Sequence, residues 1–169
     1  QGPPAGNSLS KNIDSYQEAF DLLFKSVVHT TSLVIPGMQK NKWGRIINVT
    51  SVSVKEPLNY LVLSNSIRSA VVAWAKSLSV DLGPHGITVN SILTGYFDTE
   101  RIKELNKEKS KSLNISEAEV LDKMKSLVPA SRLGRPEEYG YLVSFLSSDN
   151  AAYINGASIP IDGGLLKSY

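Results

Sequence analysis

Apolar positions along the chain follow two alternating periods, one helical and one strand-like, and their order outlines an architecture. From Tyr16 to Met38, Phe20, Leu23, Val27, Val34 and Ile35 fall at helical spacings, with Asp14 and Ser15 near the start as caps. The pattern predicts one long helix. "KWGRIINVTS" then supplies a glycine turn and the dense run Ile46, Ile47 and Val49, which suits a strand covered on both faces, as in parallel sheets. Helical periodicity returns from Leu63 to Leu82 through Ile67, Val71, Trp74 and Leu78. "GPHG" stops it with residues that cannot continue a helix.

"ITVNSIL" is the next strand. The charged stretch from Thr99 to Leu127 reads as two helices joined near Asn114, because "SEAE" offers a capping box between Ser116 and Glu119. "RPEEYGYLVSFLSS" opens a further helix, with Pro136 in the first turn and Glu137 and Glu138 complementing the positive end of its dipole. "YINGASIPIDGG" predicts a turn at Asn155 and Gly156, a short strand and a glycine exit. Strands separated by crossing helices imply right-handed βαβ units. The fold class is therefore α/β, a Rossmann-like doubly wound parallel sheet. In such sheets ligands bind beyond the carboxyl ends of the strands, so "VTSVS" and "LTGYFDTE" mark the expected pocket rim.

Composition narrows the function. With 169 residues, 41% hydrophobic, 20% charged and a formal net charge of +2, the chain fits one globular domain and lacks the basic clustering of a nucleic-acid binder. It has no cysteine, and His29 and His85 lie far apart, so no metal site is expected and neither histidine is given a catalytic duty. No apolar run nears the ~20 residues that span a bilayer, and the start lacks the order of a signal peptide, which together predict a cytoplasmic protein without membrane contact. No GxGxxG or Walker pattern occurs.

The phrases "WGRIINVTS", "WAKSLSVDLGPHGITVNSILTG", "RLGRPEEYGYLVSFLSSD" and "YINGASIPIDGG" resemble, in that order, the short-chain dehydrogenase/reductase family, most of all its 3-oxoacyl-carrier-protein reductase branch. By that resemblance, residues 1–169 are the C-terminal portion of a single Rossmann-like domain whose N-terminal cofactor-binding βαβ units precede the sequence. Two readings follow: a piece of a longer protein, or a natural truncation. A half-sheet would expose an unpaired strand edge, so a longer protein or a partner edge is expected.

The resemblance implies hydride transfer between NAD or NADP and a carbonyl or alcohol substrate. It also implies a homodimer or homotetramer built on the long helices that hold Leu23 and Trp74. In the family a Ser holds the substrate oxygen, a Tyr passes the proton, a Lys one turn later tunes the Tyr, and an Asn in the preceding long helix anchors a water relay. Ser51 matches the Ser. Register then sets Ser64 at the Tyr position, Arg68 at the Lys position and Leu23 at the Asn position. A serine hydroxyl lacks the phenol's delocalised anion, and an arginine stays protonated and relays no proton, although it still grips a ribose or phosphate.

Tyr60 is the nearby phenol. If the helix already includes it, Tyr60, Ser64 and Arg68 share one face; Pro57 and Asn59 argue instead for an entry loop. The candidate catalytic set is Ser51, Ser64, Arg68 and Tyr60. The cofactor-binding set is Thr50, Arg68, Thr94, Gly95, Phe97 and Thr99, with Thr94 replacing the family's proline before Gly95. Blander roles stand beside these: Ser51 as a strand-end cap, Ser64 as a small helix residue, Thr94 to Thr99 as an ordinary turn, and the 99–127 helices as either a substrate lid or a solvated face. A catalytically silent relative that binds a dinucleotide or small ligand is the alternative function.

Overall fold

The computed structural model describes residues 2–168. The first helical arm begins earlier than the pattern predicts. Asn12, not Asp14 or Ser15, is its cap, accepting the Ser15 backbone N–H at 3.0 Å, and α1 runs Ile13–Phe20. A π-helical turn, Asp21–Lys25, joins α1 directly to α2, Ser26–Asn41, so the predicted single helix carries one inserted residue at Leu23's own turn. Such bulges occur frequently at functional sites. The arm ends beyond Met38, where Lys42 adopts a left-handed conformation at φ 50.

The sheet has β1 (Gly44–Val49), β2 (Ile87–Thr94) and β3 (Ser158–Ile161), in that spatial order and all parallel. Helix α3, Val62–Leu82, connects the first pair; α4 (Glu100–Leu113), α5 (Glu117–Leu127) and α6 (Pro136–Ser147) connect the second. The doubly wound reading is therefore met. On one face, Ile46, Ile87 and Val89 pack against Ala75 and Leu82 of α3 and Ile35 and Met38 of α2. On the other, Ile92, Leu146 and Ala151 form a buried cluster against which Ile47 of β1 and Leu142 and Val143 of α6 pack. β2 is central, and Ile87 through Leu93 are all buried. β1 is an edge strand with Val49 58% exposed, because only β2 pairs with it among the described residues.

Turn chemistry sets where the strands start. Gly86 ends the turn after α3 at φ +74, and a side chain there would meet the Lys42 carbonyl at 2.4 Å. Asn155 is a structural clamp: its Oδ1 accepts the Val89 N–H at 2.9 Å and its Nδ2 donates to the Ser79 carbonyl at 2.9 Å. The capping box at Ser116 and Glu119 forms as expected, and the chain between α4 and α5 turns through a left-handed Asn114.

At the start of α6, both Arg132 nitrogens donate to Glu138 at 2.8 Å, and the Arg135 backbone N–H adds a third bond at 2.8 Å. These contacts, Arg132 first, hold the Glu138 carboxyl down from its ordinary 4.5 to about 2. A lowered folded-state value means the stabilisation is complete above pH 4.5 and is lost as the pH falls toward about 2. Glu138→Gln is therefore expected to flatten the acid-side fall of the melting temperature across that window, as read by circular dichroism melts at a series of pH values.

Candidate active site

At the carboxyl end of β1 the chain turns outward through Thr50 and Ser51. The Thr50 N–H and hydroxyl both donate to the Ile92 carbonyl at 2.9 Å, tying the ends of β1 and β2 together. Ser51 is extended, and its Oγ accepts the Ser53 N–H at 3.1 Å, capping a short 3₁₀ turn at Val52–Val54. The capping geometry and a ligand contact do not compete, because a hydroxyl that accepts one bond keeps its own proton to donate. Ser51 is half-buried and lines a cavity of about 460 Å³.

Helix α3 starts at Val62, so Tyr60 lies in the turn before it and does not share the helical face of Ser64 and Arg68. The backbone decides this: the Tyr60 carbonyl accepts the Gly6 N–H at 2.7 Å, pinning the entry loop to the N-terminal segment. Tyr60 lines the cavity with Ser51. Its phenol is raised above the ordinary 10 by burial first and by neighbouring Tyr96 second.

Ser64 and Arg68 form a pair one helical turn apart. Arg68 Nε donates to Ser64 Oγ at 3.1 Å and Nη1 donates to the Val49 carbonyl at 2.8 Å, while Nη2 has no hydrogen-bond partner among the described residues. Burial lowers the Arg68 value, and neighbouring Tyr139 offsets this in part. Neither residue is part of the 460 Å³ cavity wall, which Ser51, Tyr60, Thr94 and Gly95 share. The structure thus brings the predicted residues to one end of the sheet in two groups: a cavity group and a guanidinium group bonded to the last carbonyl of β1.

Beyond β2, the Thr94 hydroxyl donates to the Tyr139 oxygen at 3.2 Å and the Gly95 N–H donates to the Ile161 carbonyl at 3.0 Å. Phe97 is buried with its ring edge-on to Tyr139 at 5.4 Å between centroids. The Thr99 hydroxyl caps α4 by accepting the Ile102 N–H at 3.4 Å. Leu23 is half-buried in the π turn and presents no polar side-chain atom.

Sequence reasoning missed three asparagines and two phenols. Asn48 and Asn65 are buried, with Asn48 Nδ2 and Asn65 Oδ1 unpaired; Asn106 in α4 is 6% exposed with Oδ1 unpaired. The signal for Asn48 was present, since an amide inside "GRIINV" contradicts a fully apolar strand. Strand alternation sets it on the face of Ile46, toward the α2 and α3 layer. Tyr96 joins Tyr60 on the cavity wall, and Tyr139 stands within electrostatic reach of Arg68; burial raises both phenols. Among the described residues no cluster of metal-ligating side chains occurs and no helix is long and apolar enough to cross a membrane.

A family model described as enoyl-(acyl carrier protein) reductase matches residues 2–166. The chain is 35% identical over 131 residues to the NADPH-dependent reductase BacG of Bacillus subtilis, covering 78% of this chain and 51% of that protein. It is also 35% identical over 159 residues to the 3-oxoacyl-[acyl-carrier-protein] reductase FabG of Haemophilus influenzae, covering 90% and 60%. The chain thus spans between half and two thirds of the length of these curated relatives. Among solved structures, YwfH, an NADPH-dependent reductase involved in bacilysin biosynthesis, superposes with a TM-score of 0.94 at 28% identity, over 100% of this chain and 65% of that one. L-sorbose reductase from Gluconobacter frateurii, complexed with NADPH and L-sorbose, gives 0.92 at 25% identity, over 100% and 65%. A model match across nearly every residue, together with the parallel sheet and the strand-end hydroxyls it carries, makes this chain a member of the short-chain dehydrogenase/reductase family, similar to its 3-oxoacyl-[acyl-carrier-protein] reductases.

Proposed function

We propose that the chain is the C-terminal portion of a longer Rossmann-like domain and forms the nicotinamide and substrate side of an NADPH-dependent carbonyl reductase. What supports the reading most is the cavity at the carboxyl ends of β1 and β2, walled by Ser51, Tyr60, Thr94 and Gly95 in mostly apolar surroundings. Relatives and structural neighbours described as NADPH-dependent reductases point to the same cofactor. The free edge of β1, with Val49 exposed, supports a longer sheet. Exposed Leu22, Leu33 and Val34 on the α1 to α2 arm support assembly as a homodimer or homotetramer.

The donor set fits a nicotinamide ribose. Arg68 is a charged fork with Nη2 unspent, held beside the end of β1 by Ser64 and the Val49 carbonyl. Arg68 would hold a ribose hydroxyl or phosphate oxygen, and Thr94 with the backbone after Gly95 the carboxamide end; a bound cofactor would supply the hydride. Ser51 would donate a hydrogen bond from its hydroxyl to the substrate carbonyl oxygen without giving up the proton. Tyr60, protonated near neutrality as phenols are, is the proton source for the alkoxide that reduction leaves, since an alkoxide is a far stronger base than a phenolate.

The direction of the Tyr60 shift carries a consequence. A phenol raised above 10 is protonated near neutrality, the form that proton donation in reduction uses, whereas alcohol oxidation through it would need the phenolate and a higher pH. The cavity wall also contains no histidine and no cysteine, the side chains whose charge commonly changes near neutral pH. Steady-state NADPH consumption with a panel of ketones and 3-oxoacyl thioesters is expected to show turnover, with a kcat/KM that is flat from roughly pH 6 to 9. Tyr60→Phe is expected to lower it by about 10²-fold or more. No consumption by the intact protein, with NADPH binding retained in titration calorimetry, would instead identify a relative that binds without turnover.

A further inference from the structure

We propose that Asn106 is a specificity-determining residue of this cavity and selects substrates in which a mostly hydrocarbon body carries a hydroxyl away from the reacting carbonyl. The inference rests on the reductase reading for its substrate class, and on Asn106 alone for its selectivity. Ile102, Leu105, Lys109 and Leu113 put one face of α4 on the cavity, and Asn106 lies in the middle of that face. The wall is mostly hydrocarbon, with Leu58, Leu61 and Met124 from outside α4, although Glu108, Lys109 and Ser112 of α4 also border it.

An amide in such surroundings is costly unless its oxygen and nitrogen are paired. Asn106 is 6% exposed, its Oδ1 is buried without a partner, and its Nδ2 makes no hydrogen bond to any described residue. It also borders a second cavity of about 420 Å³ lined by Asp98, Glu117 and Arg135, so it stands in the partition between the two spaces. A leucine has the same branched outline and number of heavy atoms, with somewhat bulkier methyl groups, and would leave nothing unpaired. The unpaired amide therefore weakens the α4 packing without repaying it inside the protein, and a partner in the cavity is what can repay it, water in the free protein or a polar group of the ligand that displaces it. A hydroxyl both donates and accepts, so one hydroxyl can satisfy either end of the amide whichever way it is turned. Sites that hydrogen-bond a substrate hydroxyl reject the analogue that lacks it far more strongly than apolar sites reject a missing methylene.

The test compares the full chain with Asn106→Leu on pairs of ketones that differ only in a hydroxyl remote from the carbonyl. The unsubstituted protein is expected to favour the hydroxylated member by at least about 10-fold in kcat/KM, and Asn106→Leu to bring the ratio within about 3-fold of one. Asn106→Leu is also expected to raise the melting temperature of the ligand-free protein by roughly 2–6 °C, since it removes a buried unpaired group. A purely structural amide would shift melting the other way. Should no ketone be turned over, the reductase reading fails by itself, and the same ketone pairs are scored by the melting shift each induces in the presence of NADPH. Equal response to both members of every pair, an unchanged ratio in Asn106→Leu, or a melting temperature lowered by that substitution overturns the proposal. If Asn106→Leu does not fold, Asn106→Ala is read on the same ratio, with the same outcome required.

Discussion

Arg68→Met is expected to lower the proposed NADPH-dependent kcat/KM roughly 10–100-fold, chiefly through KM for the cofactor. Met fills much the same volume but offers neither charge nor donors. In the native site the guanidinium spends Nε on Ser64 and Nη1 on the Val49 carbonyl, which leaves Nη2 aimed by two fixed bonds. A charge-assisted hydrogen bond of that kind contributes about 1.5–3 kcal/mol, which is where the fold-change comes from. Arg68→Lys separates charge from geometry. An ammonium keeps the positive charge but cannot hold both anchors and still present a planar donor, so it is expected to recover only part of the loss. Steady-state kinetics at varied NADPH checks both variants. An Arg68→Met protein with unchanged cofactor KM would remove the guanidinium from the binding site.

Gly95→Ala is expected to cost stability and to disturb the cavity with a single methyl group. A Cβ at Gly95 would sit 2.6 Å from both Cα and Cβ of Asp162, and 3.2 Å from the Ile161 carbonyl. The neighbour cannot back away cheaply: Ile161 accepts the Gly95 N–H at 3.0 Å, and the Asp162 carboxylate accepts the Gly164 and Leu166 N–H groups at 2.9 and 2.8 Å. Overpacking against backbone costs about 1–3 kcal/mol, which lowers the melting temperature by roughly 4–10 °C in a protein of this size. Because Gly95 also walls the cavity, substrate affinity falls with it. Gly140→Ala is the control. A Cβ there meets nothing within 4 Å in the middle of α6, so alanine's better helix propensity leaves stability unchanged or raised by up to about 1 kcal/mol. Thermal melts of the two variants side by side check the contrast; equal shifts would show that the close approach to Asp162 is not what demands glycine.

What was legible in the chain was everything that short-range periodicity and turn chemistry control. The apolar runs of "GRIINV" and "ITVNSIL" became β1 and β2, the Ser116 capping box opened α5, Pro136 opened α6, and "NG" turned the chain before β3. Each depends on residues within a few positions of one another, so neighbouring letters suffice. The same locality explains why Ser51 was correctly expected at a strand end, where loops cross a sheet's ligand-binding edge.

The remaining features depend on partners far along the chain. Tyr60 stays out of α3 because Gly6, more than fifty residues away, pairs with its backbone. The long first arm carries a π turn where it packs on α3, although its own spacing reads as uninterrupted helix. Arg68 is aimed by a carbonyl of β1, and Tyr139 comes within reach of it only when α6 folds across the sheet. Asn106 reads as one polar residue on a charged helix until the cavity closes around it. The sequence alone thus determined the order of elements, the parallel sheet and the end of the sheet at which the cavity opens, because backbone preference and apolar period are local. Tertiary structure alone decided which polar atoms are paired, which are left unpaired in a cavity, and which way the guanidinium points, because hydrogen-bond partners and burial exist only between segments that folding brings together.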